Sequence, residues 1–138
     1  MLLRSGPDVV PTVGEGGEFK MSMYRGLSGR RNDPHFVSDP GDYGRGEYWV
    51  CTREHAEIYA QNGGEVIEAE VYLKNALRLS AKEIGEQTKR YGTTIGSRDS
   101  RLAASEQLTR DMRAKGYDGI VVKGYEDFTS WSACVFPI

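Results

Sequence analysis

The stretch Gly46-Glu47-Tyr48-Trp49-Val50-Cys51-Thr52-Arg53-Glu54-His55-Ala56-Glu57-Ile58-Tyr59-Ala60 restricts the fold of this 138-residue chain more than any other. A glycine precedes an aromatic and β-branched run that favours an extended, half-buried strand. Thr52 then stands at a natural N-cap position, and acids in the following turn suit the positive end of a helix dipole. Residues three and four apart share a helix face, so Thr52, Ala56, Tyr59 and Ala60 line up. The pattern predicts a strand running straight into a helix, with Tyr48 and Tyr59 facing one cleft.

Two other stretches carry the period of two that a one-sided strand requires. In residues 19–27, Phe19, Met21, Met23, Arg25 and Leu27 fall on one face and Lys20, Ser22, Tyr24 and Gly26 on the other. In residues 65–73, Ile67, Ala69, Val71 and Leu73 point inward; Glu68, Glu70 and Tyr72 point outward, which makes the two glutamates a solvated face. The first apolar row contains an arginine. A guanidinium on a buried row requires an anionic partner. Arg25 therefore serves either an internal salt bridge near the strand end or a bound phosphate or ribose.

The remaining segments read as short elements between turns. Asn62-Gly63-Gly64 stops the first helix, and Lys74-Asn75 makes a turn. Ser80 caps a helix over residues 81–91 with Glu83 at the capping-box position. Residues 91–100 form a flexible link, and residues 102–115 form the second sizeable helix, with Ala104, Leu108 and Met112 at intervals of four. Residues 117–122 are apolar on both sides and therefore a central strand, and residues 131–136 make the last one. Residues 28–45 are a long loop of the kind that tends to carry function; His35 and Phe36 lie inside it with no assigned role. Pro7, Pro11, Gly14, Gly16 and Gly17 mark residues 1–18 as a flexible N-terminal arm, ahead of a single domain over residues 19–138.

Composition narrows the function classes. With 38% hydrophobic and 28% charged residues and 17 glycines, the chain suits an α+β globular domain better than a helical bundle. A net charge of −2 gives no reason to expect nucleic acid or an anionic membrane. No apolar run nears 18 residues, and Met1-Leu2-Leu3-Arg4 is too short for a signal h-region, so a cytoplasmic protein is expected. Cys51 and Cys134 sit in apolar strand-like runs and read as reduced, buried thiols. Two cysteines and two histidines, far apart, offer no metal-ligand spacing, and the phosphate-cradling glycine runs and nucleophile elbow are absent from the sequence. Arg101, Arg110, Arg113 and Lys115 form a mildly basic surface, which reads as a solvated face or, alternatively, as a contact for an acidic partner.

Met23-Tyr24-Arg25-Gly26, followed by Gly46-Glu47-Tyr48-Trp49 and then Ala56 and Tyr59, resembles the succession of motifs in ADP-ribosyltransferase domains. Lys115-Gly116-Tyr117-Asp118-Gly119-Ile120-Val121-Val122 and Cys134-Val135-Phe136-Pro137 look like the paired closing strands of small phage and bacterial members. The likeness spans roughly residues 19–138. It implies two small, mostly antiparallel sheets forming an NAD cleft flanked by a few helices. The implied activity is mono-ADP-ribosyl transfer from NAD+ to a macromolecule, most simply a protein, as by a phage-encoded effector acting on a host defence protein in the bacterial cytoplasm.

By the same resemblance Arg25, with Tyr24 and Gly26 around it, matches the position that binds the NAD ribose or phosphate. Tyr48 and Tyr59 match the walls that hold the nicotinamide ring flat, and Thr52 a residue that steadies the site. Breaking the nicotinamide–ribose bond develops positive charge on the sugar, as in glycoside hydrolysis, and the family stabilises it with a glutamate on the closing strands. Here the chain departs from the family: Ser132 occupies that position. Glu126 and Asp127, a few residues earlier, are the candidate replacement acids, since an acid need only arrive in space and not in register. The missing glutamate also leaves open a member that binds NAD, nucleotide or a protein partner without turnover, and an inhibitory protein acting through residues 28–45 and 101–115.

Overall fold

The computed structural model describes residues 8–12, 14–29, 41–61, 63–123 and 131–137. The elements follow as β1 (Gly16–Leu27), β2 (Glu47–Val50), α1 (Arg53–Tyr59), β3 (Glu65–Ser80), α2 (Ala81–Tyr91), α3 (Arg98–Ala114), β4 (Gly119–Lys123) and β5 (Trp131–Val135). The two alternating stretches pair with each other: Phe19 lies opposite Leu73, Met21 opposite Val71 and Met23 opposite Ala69, antiparallel.

The pairing then runs all the way round, β1-β2-β5-β4-β3 and back to β1, as a closed barrel. This replaces the expected pair of sheets with a cleft between them. Closure depends on β3, which is longer than its alternating half suggests. Residues 65–73 pair along β1, and residues 76–80 continue beside β4 in the barrel's parallel pairing. Lys74 and Asn75, expected as a turn, stay within the strand. Asp118 accepts the amide N–H of Lys74 at 2.8 Å and that of Asn75 at 3.0 Å, so both donors are satisfied where the register with β1 shifts.

The barrel interior is most of the row the alternation marked, Phe19, Met21 and Met23 with Trp49, Val71, Leu73, Val121 and Ala133; Ala69, expected inward on β3, is exposed near the start of that strand. Each large side chain removed from water there contributes about 1.5–3 kcal/mol. A second core lies outside the barrel wall, where Leu77, Leu79, Ile120, Val122 and Cys134 meet Ile84 of α2 and Leu108 and Met112 of α3. β4 faces both cores, so residues 119–122 are all buried, in line with their continuous apolar run.

The helices begin at polar caps. Ser80 and Glu83 exchange reciprocal side chain–backbone bonds of 3.1 Å at the start of α2. α3 begins at Arg98, earlier than its apolar spacing indicates, because Ser97 accepts the N–H of Ser100 and provides a start. The segment read as a ten-residue flexible link is correspondingly shorter.

The arm expected over residues 1–18 is docked where it is described. Residues 16–18 belong to β1. Val9 exchanges both backbone hydrogen bonds with Lys20, at 2.9 and 2.8 Å, Val10 packs against the interior core, and the carbonyl of Pro11 accepts from Arg78 at 2.9 Å. The cause is a length mismatch. β2 has four residues and meets β1 at Tyr24–Val50, leaving the first half of β1 to pair with residues near Val9. Among the described residues no helix is long and apolar enough to cross a membrane.

Candidate functional site

Strand alternation sends Tyr24 and Gly26 to the outside of the barrel and Arg25 to the inside. α1 covers the outer face at Gly26. A Cβ on that glycine would stand 1.9 Å from the carbonyl oxygen of Ala56 and 2.9 Å from Cβ of Tyr59, so only glycine allows the helix this close. Thr52 sets the start of α1: its hydroxyl accepts the N–H of His55 at 3.2 Å. Its role is a helix cap, and through α1 it places Arg53 and Tyr59 over β1.

Tyr24 faces the guanidinium of Arg53, 5.4 Å above its ring. Its hydroxyl is hydrogen-bonded to Glu68, its register partner on β3, and that bond, ahead of desolvation, raises the phenol above its ordinary value, while Arg53 pulls the other way. Arg25 lies opposite Ile67 at one end of the interior row, and Nη1 meets Oε2 of Glu47 at 3.4 Å. Of its two sequence readings, the internal ion pair is the one present. Both side chains are solvated, at 29% and 56% exposure, so the pair is weak and Arg25 is not locked by it. Tyr59 is half exposed on α1.

Tyr48 is elsewhere. Its ring meets Tyr43 edge-on at 4.8 Å and packs against the core under α2 and α3. The hydroxyl donates to the carbonyl of Gly44 at 2.6 Å and accepts the N–H of Tyr43 at 3.0 Å. Burial pushes its ionisation well above the usual phenol range. The expectation that Tyr48 and Tyr59 wall one cleft is therefore not met: Tyr48 pins the segment before β2, and Tyr59 stands over β1.

Ser132 is buried on β5, in a row that runs Tyr24–Val50–Ser132–Val122 across four strands. It shares the outer face with Tyr24, one strand removed. Glu126 and Asp127 lie outside the described residues. Two acids that the sequence reading left without a role do meet the predicted NAD residues: Glu47 at Arg25 and Glu68 at Tyr24. Glu68 looked like one more outward residue of an alternating strand, and only the β1–β3 register joins it to Tyr24. Glu47 was legible only as part of a strand motif.

Two shallow depressions lie away from this corner. One is bounded by Arg113, Tyr117, Asp118 and Phe136, the other by Arg45, Thr109 and Arg110. None of the residues predicted to hold NAD lines either. Among the described residues no three His, Cys, Asp or Glu side chains group as metal ligands. No protein-family model, curated protein or solved structure matches the chain.

Proposed function

We propose that the protein transfers a single ADP-ribose from NAD+ to a protein acceptor, with NAD+ held at the β1–α1 corner. The observation that supports this reading is the fit of Gly26 beneath Ala56. It draws the Tyr24-Arg25-Gly26 strand and the Ala56/Tyr59 face of α1 into one place, as the family's first two motifs require. NAD+ would supply the ADP-ribose as its bond to nicotinamide breaks. The residues present suit such a ligand in part: on the outer side of β1 Arg53 is a cation for a phosphate and the half-exposed ring of Tyr59 a surface for a flat heterocycle, while Arg25, on the inner side, meets the same ligand only where it passes round the end of the barrel.

The acid is where the fit is weakest. Ser132 offers a hydroxyl, and a hydroxyl cannot stabilise positive charge as a carboxylate does. Glu47 and Glu68 are the described carboxylates at the corner that substitute for it in this reading. The buried serine also favours a second reading, in which the domain binds NAD+ or a related nucleotide and its partner without turnover.

The deciding experiment incubates the protein with labelled NAD+ and a bacterial lysate, following free nicotinamide and the intact mass of labelled proteins. A single added ADP-ribose that disappears in Arg25→Ala supports transfer. Nicotinamide without a labelled protein means NAD+ hydrolysis. Binding of NAD+ with neither signal selects the second reading, and no NAD+ binding removes both.

A further inference from the structure

We propose that the end of the barrel where β3 and β4 finish and β5 begins binds a diphosphate group, free or carried by a dinucleotide, through Arg78 and Lys123 around Trp131. This inference stands apart from the reaction proposed above and uses none of its residues. Lys123 ends β4 and Trp131 opens β5, directly opposite each other. Arg78 lies on β3 opposite the interior residue Val121. The indole of Trp131 packs against the interior core, with its ring 6.2 Å from that of Phe19.

Both cations converge on that indole. The guanidinium carbon of Arg78 stands 5.0 Å from the ring centre and the ammonium of Lys123 stands 5.6 Å from it. Attraction to the ring face holds each one but does nothing to relieve their mutual repulsion. Among the described residues neither is joined to a carboxylate. Arg78 is also held in place with donors to spare: Nη1 donates to the Pro11 carbonyl at 2.9 Å, while its buried Nε has no acceptor. A docked guanidinium beside an exposed ammonium, with no acid between them among the described residues, is the arrangement that a polyanion completes. A diphosphate spreads two or more negative charges over two phosphoryl groups, so it offers each cation a charged partner of its own, where a carboxylate brings a single charge for the two to share.

Calorimetric titration of the full chain with sodium pyrophosphate at low salt tests this. Saturable binding that weakens with added salt, and by about tenfold or more in Lys123→Gln, is expected. Lys123 is exposed, so that variant keeps the core; Arg78→Gln, checked for folding by circular dichroism, should lose binding as well. No binding to the folded wild type in the millimolar range overturns the proposal, and so does binding that Lys123→Gln leaves unchanged. NAD+ as a second titrant separates the sources. Displacement of pyrophosphate assigns the site to a dinucleotide, and indifference assigns it to free diphosphate. Arg25→Ala should leave pyrophosphate binding intact, so failure here and failure of the transferase reading are distinguishable.

Discussion

Gly26 of β1 and Ala56 of α1 approach so closely that a Cβ on the glycine would stand 1.9 Å from the alanine carbonyl oxygen and 2.8 Å from the amide nitrogen of Ala60. The atoms in the way are helix backbone, which cannot swing aside. Gly26→Ala should therefore lift α1 from β1 and lower stability by about 2 kcal/mol or more, in the upper range for overpacking. Urea denaturation measures it. An unchanged midpoint would mean that the helix is not seated on Gly26.

The two tyrosines expected to share a role should respond in opposite ways. Tyr48→Phe removes the acceptor of the Tyr43 amide and leaves the Gly44 carbonyl with the weaker Cys134 thiol as donor, and should destabilise the protein by about 1–3 kcal/mol. Tyr59→Phe, on a half-exposed side chain, should change stability by less than about 0.5 kcal/mol. In the proposed function Tyr59→Ala weakens NAD+ binding, whereas any effect of Tyr48→Phe on activity should track unfolding. Thermal melts of the variants, set beside NAD+ titrations, separate the two roles.

The Arg25–Glu47 pair bears directly on the proposed chemistry. As a solvated ion pair it is worth about 0–1 kcal/mol, so Arg25→Ala and Glu47→Gln should both fold normally. If the corner holds NAD+, Arg25→Ala should raise its dissociation constant by about tenfold or more, because a charge-assisted contact is lost. A variant that melts early and binds NAD+ normally would instead return Arg25 to a structural role.

Alkaline pH should weaken the fold before acid does. Burial pushes the Cys134 thiol up to about 12 from 9.0, and partial burial together with the hydrogen bond to Asp111 takes Tyr91 to about 12 from 10.0. Both groups are held protonated by the fold. Their contribution is thus complete below pH 9 and lost as pH rises from about 9 toward 12. At the other end the Tyr91 hydroxyl, donating at 2.6 Å, and then Gln107 hold Asp111 below its ordinary 3.8. That contribution is present above pH 3.8 and fades as pH falls below it. Tyr91→Phe should flatten part of both limbs of a stability–pH curve, and Cys134→Ala only the alkaline one. Unfolding free energies at a series of pH values show whether the limbs respond separately.

Much of the local structure was legible. The alternation at Phe19, Met21 and Met23 and at Val71 and Leu73 identified the barrel interior, because a side-chain period of two leaves one face to bury. The Thr52 cap and the Ser80/Glu83 box announced two helix starts through side chains that satisfy their own neighbours' amides. The Ser97 cap was missed because the residues after it are polar and hid the helix from a search for apolar spacing. The turn at Lys74-Asn75 was misread because its amides find their acceptor in Asp118, 43 and 44 residues away.

The sequence by itself determined which side of β1 and β3 carries the buried row, where α1 and α2 begin, and that Arg25 is an unusual residue for its position. These are matters of local period and local hydrogen bonding. Only the tertiary structure decided that the strands close into a barrel, that Arg25 meets Glu47, that Tyr24 meets Glu68, and that Tyr48 and Tyr59 part company. Each of these depends on the register between strands far apart in the chain, and a period of two says which face a residue takes without saying whom it faces.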